Sequence, residues 1–247
     1  YVVIEAGQIG STIEWYAPGT FFFSSPDRIA IAGVPLVTLL QTKATREEYL
    51  MYLRGVVEQF QLRIRRYTRV VSIERRDGAF TLGLRRSHHG VGGPHEADIA
   101  TRATKASTES RLNARRVVLA VGNLHRARRL GIPGEDLPHV SHFFREPHHY
   151  FGRRVLIVGG KNSAVEAAIR LVRVGAEVAL SYRRDRFNEK SVKYWLLPEI
   201  THLIKKKRIA YYPNTIPTEI SELEVHLAPS EGIAAGVGNM VPADTVL

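Results

Sequence analysis

Residues 154–184 read RVLIVGGKNSAVEAAIRLVRVGAEVALSYRR, and few folds accommodate that order of residues. Positions 155–158 form an almost continuous apolar run, as expected of a strand buried on both faces of a parallel sheet. The glycine pair Gly159–Gly160 follows. Val165, Ala168, Ile169 and Val172 then recur at helical spacing. Gly175 stands where a helix C-cap belongs, and 176–182 is a second apolar run. Strand, tight turn, helix and strand within about 30 residues make one βαβ unit.

The turn inside that unit points to a phosphate. A helix N-terminus presents N–H groups with no intrahelical acceptor and the positive end of the helix dipole. Backbone can approach a pyrophosphate closely only where side chains are small. Read as G-x-G-x-x-G/A, the run supplies Gly159 and Ala164 at the first and third fingerprint positions, with Lys161 in place of the second glycine. At the end of the second strand an acid would select the 2′-hydroxyl of NAD. This chain has Arg183 and Arg184, with Arg186 just beyond, and guanidinium forks suit the 2′-phosphate of NADP. The alternative is an ordinary βαβ unit with a tight turn, which a single glycine motif does not exclude.

The 247 residues suffice for one large or two small domains. No apolar run is long enough to cross a membrane, and no basic leader precedes YVVIE. The chain starts and stops inside strand-like runs, so a fragment or a processed start is expected, with the C-terminus cut as well. The net charge of +11 favours anionic partners. Its arginines are dispersed and only 205–208 is a compact basic run, so anionic cofactors are favoured over nucleic acid. With no cysteine in the sequence, a disulfide framework and an intramolecular dithiol relay are both excluded. That composition fits a cytoplasmic protein.

In chain order, 1–5 reads as a buried strand ending in Glu5, either a ribose-binding acid or a solvated strand-end carboxylate. The TFFFSS run at 20–25 reads as a loop. Either Ser24 and Ser25 meet a flavin, or the phenylalanines pin the loop to the core. Positions 45–59 read as a helix with Thr45 as N-cap and Glu48 completing a capping box. Strands are expected at 62–67, 70–74 and 79–84, the last two joined through Asp77-Gly78. Positions 87–113, with His88, His89 and His95, read as a solvated hairpin tip rather than a metal site.

RRVVLAVG at 115–122 reads as a buried strand. The linker at 139–152 carries His139, His142, His148 and His149, read as a connector before substrate ligands, and the domain boundary is placed here. A helix is expected over 191–206, interrupted at Pro198, which can open a second helix. A strand is expected at 208–212, a hairpin over 218–227, a glycine-rich turn at 232–238 and a last buried strand at 241–247.

The segments RRVVLAVGN, LGIPGEDLPHVSHFFREPHHYFGRRVLIVGGKNSAVEAA, SYRR and SVKYWLLPEI, with the TFFFSSPD loop, resemble the two-domain flavin- and NADPH-dependent disulfide reductases of the thioredoxin-reductase type. Among them the chain is most similar to the YpdA (bacillithiol disulfide reductase) family, over nearly its whole length apart from 87–113.

The resemblance implies an α/β fold of two Rossmann-like domains with a β-hairpin insertion. Residues 1–145 would be a partial FAD-binding domain, and 146–247 an NADPH-binding domain cut at its C-terminus. It implies that Glu5 holds the FAD ribose, that Ser24 and Ser25 lie near the flavin, and that Ala120 and Gly122 let backbone approach FAD, with Val121 where threonine is usual. Gly159, Gly160, Lys161, Asn162 and Ser163 would cradle the NADPH pyrophosphate, and Arg183 and Arg184 would take the 2′-phosphate.

The family's opening G-x-G-x-x-G turn, the cysteine near it and the C-terminal flavin-closing segment are absent from this sequence. An intact NADPH half and an incomplete FAD half are therefore expected. The implied reaction passes hydride from NADPH to FAD and electrons to a small-molecule disulfide. A flavin monooxygenase or a truncated chain that binds only NADPH are the alternatives. No catalytic side chain, metal, nucleic-acid partner or membrane association is assigned, and a homo-oligomer stays open.

Overall fold

A computed structural model describes residues 1–86, 110–122, 127–230 and 238–247. The chain divides into two compact units, Tyr1–Ala127 and Arg128–Leu247. The histidine reading of 88, 89 and 95 and most of the glycine-rich turn at 232–238 lie outside the described residues.

In the first unit, β1 (Val3–Ile4) pairs in parallel with β2 (Ile64–Arg65). Two short helical turns, α1 (Ser11–Glu14) and α2 (Pro26–Ile29), precede α3 (Arg46–Gln59). The capping box of α3 forms as expected: Glu48 N–H donates to the Thr45 hydroxyl, and Thr45 N–H donates to Glu48 Oε2 at 2.7 Å. Strands β3 (Thr68–Arg76), β4 (Ala79–Arg86) and β5 (Ser110–Ala114) make an antiparallel sheet in that order. Asp77 and Gly78, with φ of 49° and 78°, supply the two left-handed residues that a tight hairpin turn demands. The core side of this sheet includes Leu82 and Leu84.

Three expectations fail in this unit. Residues 1–5 are not a buried strand: Tyr1 is 77 % exposed, Val3 is 45 % exposed, and the paired strand is only Val3–Ile4, with Glu5 N–H also donating to the Arg65 carbonyl. Residues 115–122 are irregular backbone, with Val118 89 % and Val121 75 % exposed. An apolar run becomes a central strand only when neighbours on both sides take its N–H and C=O groups, and among the described residues 115–122 pairs with none. The end of the stretch read as a hairpin tip is instead β5, aligned so that Leu82 faces Leu112.

The second unit is built on the βαβ stretch. β6 (Arg154–Val158), β7 (Glu177–Tyr182), β8 (Ile209–Pro213) and β12 (Thr245–Val246) form a parallel sheet in the order β12-β6-β7-β8. Its two faces explain the unbroken apolar runs. Val155, Ile157, Val178 and Leu180 pack with α4 (Asn162–Arg173) and with Ile200 of α5 (Leu197–Lys205). Leu156, Val158 and Ala179 face a second, antiparallel sheet of β9 (Thr215–Ile220), β10 (Glu224–Pro229) and β11 (Asn239–Pro242). A strand covered on both sides has no polar face to show.

All four helical-period residues, Val165, Ala168, Ile169 and Val172, are buried. Helix α4 ends as the glycine predicts. Gly175 has φ 85°, its N–H donates to the Val172 carbonyl, and Ala176 N–H donates to that of Leu171. These are the two bonds of a Schellman cap.

The expected helix over 191–206 shortens to α5, with Pro198 in its first turn. The expected last strand splits into β11 and β12 at Ala243-Asp244. Asp244 is held there by Arg154, whose backbone N–H and guanidinium both donate to its carboxylate. That clamp brings β12 alongside β6. The connector that the sequence assigned to the first part packs in this unit, through Ile132, Leu137 and Val140.

Candidate nucleotide-binding site

The turn after β6 lies at the C-terminal edge of the parallel sheet, where open α/β sheets bind ligands. Its register is fixed by Val158 pairing with Ser181 and by Gly159 N–H donating to the Ser181 carbonyl at 2.9 Å. Gly159 has φ 149°, and a Cβ there would stand 3.2 Å from Cβ of Ala164. The alanine at the third fingerprint position is what lets strand end and helix meet this closely. At Gly160 a Cβ would fall 2.4 Å from the ring of Tyr182, so only glycine fits between that ring and the turn.

Lys161 is the N-cap of α4, in extended conformation and with no side-chain cap. The first intrahelical bond is Val165 N–H to the Lys161 carbonyl. The amides of Asn162, Ser163 and Ala164 therefore lie ahead of the helical ladder, and the first turn carries no acidic residue. Such an end attracts an anion. Lys161 and Ser163 are exposed, whereas Asn162 is half-buried.

Arg183 and Arg184 follow directly on β7, two and three residues beyond the Ser181 that binds Gly159, so they share this edge of the sheet with the glycine turn. Both are exposed, and neither has an acidic partner among the described residues. Arg186, by contrast, pairs with Asp185 at 3.2 Å. Beneath them Tyr182 stacks on Phe187 at 5.7 Å, and Phe187 meets Tyr211 at 5.4 Å. Burial, then the neighbouring Tyr182 and Asp185, push the Tyr211 hydroxyl up to about 12, so it stays neutral at any physiological pH.

In the first unit Glu5 lies just past β1. Its Oε1 accepts from Gly7 N–H at 2.8 Å and from the Ser11 hydroxyl at 3.2 Å. Oε2 accepts from no group among the described residues and is available for a ribose hydroxyl. Phe22 packs on Tyr49 of α3 at 4.6 Å and Phe22 N–H donates to the Ala44 carbonyl, so this phenylalanine pins the loop. Ser24 and Ser25 are exposed beside it. Phe22 thus meets the pinning reading of that loop. Ala120 and Gly122 are exposed, with Gly122 at φ 66°. Among the described residues no hydrogen bond or bridge joins them to Glu5, Ser24 or Ser25.

Of the linker histidines, His142 does structural work. Glu135, 3 % exposed, accepts from His142 Nε2 at 2.8 Å and from the backbone N–H of Leu130 and Gly131, each at 2.8 Å. Burial alone would raise its carboxyl pKa, but the bonds from His142 and the two amides, with Arg129 nearby, bring it to about 2. Nothing local in the sequence marks Glu135, because its partners are His142 and backbone groups of its own turn. Nor does any local pattern mark the bond that Lys193 N–H donates to Asn162 Oδ1. The only signal for that pair was the presence of GGKNS and SVKYW in one chain. No group of metal-ligating side chains forms among the described residues.

A family model described as pyridine nucleotide-disulphide oxidoreductase matches residues 1–88 and 100–237. The chain belongs to that family. Among its relatives, bacilliredoxin reductase Bdr of Bacillus subtilis is 31 % identical over 225 residues, 91 % of this chain and 62 % of its own length. The bacillithiol disulfide reductase Bdr (YpdA) of Staphylococcus aureus superposes with a TM-score of 0.84 at 30 % identity, covering 99 % of this chain and 67 % of that one. The YpdA-type resemblance read from the sequence is thus matched at the level of both sequence and fold. Thioredoxin reductase of Lactococcus lactis, at 17 % identity and TM-score 0.63, shares the two-domain Rossmann-like fold alone. The chain spans about three fifths of the curated Bdr relative.

Proposed function

We propose that the protein is an NADPH-dependent flavoprotein oxidoreductase that reduces a low-molecular-weight disulfide of the bacillithiol type. The observation that carries the reading is the edge of the parallel sheet in the second unit. That edge carries an uncapped helix N-terminus, a glycine turn closed to any side chain and two arginines with no acidic partner among the described residues. Thirty per cent identity to a bacillithiol disulfide reductase over 99 % of the chain favours a reductase over a monooxygenase.

Pyridine nucleotide fits the residues present, and of the flavin site this sequence supplies a part, without the opening glycine turn. Gly160, Lys161, Asn162 and Ser163 bind the NADPH pyrophosphate through backbone amides and the helix dipole, while Gly159, whose own N–H is taken by the Ser181 carbonyl, keeps the turn free of a side chain. Arg183 and Arg184 take its 2′-phosphate as charge-assisted hydrogen-bond donors. Glu5 offers Oε2 to the FAD ribose, while Ser24, Ser25 and the Ala120–Gly122 backbone meet the flavin. The bound groups supply two-electron transfer from NADPH through FAD to the disulfide. This sequence contributes no cysteine to a relay, so its residues bind and orient. Among the described residues no helix is long and apolar enough to cross a membrane, and we place the protein in the cytoplasm.

Anaerobic addition of NADPH to the flavin-loaded protein tests the reading. Bleaching of the flavin absorbance by NADPH, followed by its return on adding bacillithiol disulfide, is expected. Flavin that NADPH leaves oxidised would overturn the proposal.

A further inference from the structure

In the family pattern Asn162 belongs to the phosphate cradle, but its side-chain oxygen is engaged elsewhere. Asn162 Oδ1 accepts the backbone N–H of Lys193, 31 residues away, at 2.8 Å. The Lys193 ammonium stands 5.9 Å from the centre of the Trp195 ring, and Trp195 meets Tyr194 edge-on at 4.9 Å.

The segment around Lys193 is pinned at several points. Val192, 2 % exposed, is buried in the core under α4 and α5. The Asn188 carbonyl accepts from Ser191 and Val192, and its side-chain oxygen accepts from Lys190 N–H at 2.8 Å. Lys193 and Tyr194 remain exposed. An exposed lysine contributes little to stability. Here, though, its backbone is tethered to the first residue of the one helix whose N-terminus faces the glycine turn.

We propose that Lys193 is a coenzyme-binding cation that meets the pyrophosphate, and that Asn162 is the positioning residue that holds it there. The inference rests on the NADPH reading above and adds a division of labour to it. Arg183 and Arg184 stand at the end of β7 and distinguish NADPH from NADH. The Lys193 backbone is tethered at the helix N-terminus, the end to which the diphosphate common to both coenzymes is assigned, so its charge acts on both alike.

The test uses the full chain in a Trp15→Phe background, so that Trp195 is the remaining tryptophan. Binding of NADPH and of NADH is followed by Trp195 fluorescence and by calorimetry. Lys193→Gln is expected to weaken both coenzymes about tenfold, the loss typical of one hydrogen bond to a charged group, with their affinity ratio and the unfolding midpoint unchanged. Lys193→Arg should retain most of the affinity. Asn162→Ala should weaken both coenzymes and shift the Trp195 emission before any coenzyme is added. Asn162→Asp, which keeps the acceptor, should leave that emission in place.

Unaltered binding by Lys193→Gln, or a loss confined to NADPH, would overturn this assignment while leaving the NADPH site intact. A parent protein that binds neither coenzyme would overturn the site and the assignment together.

Discussion

Alanine at position 160 would set a methyl carbon 2.4 Å from Cδ2, 2.5 Å from Cε2 and 2.6 Å from Cγ of Tyr182. Non-bonded carbons are comfortable at roughly 3.5–4.0 Å, so ring and turn must separate by about 1 Å. Neither partner gives way easily. Tyr182 is 8 % exposed, paired with Pro213 in the sheet and stacked on Phe187, which in turn meets Tyr211.

Overpacking of this kind costs about 1–3 kcal/mol. Because Gly160 is not in the left-handed region, the cost is steric rather than a backbone penalty. Urea unfolding should show a lower midpoint with an unchanged slope, and calorimetry should show NADPH and NADH weakened together as the turn's amides shift. Tyr182→Leu placed in the Gly160→Ala protein should recover part of both losses, because the two positions touch and their effects do not add. If Gly160→Ala unfolds and binds like the parent, the close approach of turn and ring is not what places the amides, and the reasoning fails.

Other outcomes follow from the same contacts. Thr45→Ala removes the hydroxyl that accepts from Glu48 N–H and should cost about 1 kcal/mol in unfolding experiments. Glu135 has a folded pKa near 2, below the unfolded value of about 4.3. Its contribution is therefore complete above roughly pH 5 and fades as pH falls toward 2. Glu135→Gln should lose about 2 kcal/mol at neutral pH, with the gap to the parent closing in acid; an equal gap at pH 7 and pH 3 would refute the assignment. Asp244→Asn removes the charge that Arg154 grips and should lower stability by about 1 kcal/mol. Removing that clamp should also speed amide exchange at Thr245 and Val246, since it is what brings β12 alongside β6.

What the sequence made legible was set by local rules. The 154–184 unit declares itself because each signal lies within a few residues of what it controls: the apolar runs, the glycine turn, the period of α4 and Gly175 at its end. The same holds for the Thr45 capping box and the Asp77-Gly78 hairpin.

Failures came where a residue's state depends on a distant neighbour. Residues 115–122 are as apolar as β6, yet they are exposed because no strand flanks them among the described residues. Residues 241–247 divide at Asp244 because Arg154, 90 residues earlier, clamps it. The candidate site followed the same division. Gly159, Gly160 and the arginine pair were readable as a motif. The Tyr182 ring under Gly160 and the Lys193 tether on Asn162 required the fold to bring them near.

We propose that the Gly159–Ser163 turn and the arginine pair form an NADPH site. Calorimetric titration of the parent and of an Arg183→Ala/Arg184→Ala protein with NADPH and with NADH tests it most directly. The parent should prefer NADPH, and the double variant should lose that preference by weakening NADPH while NADH affinity stays the same. A parent that binds the two coenzymes equally, or a variant whose preference for NADPH survives, would contradict it.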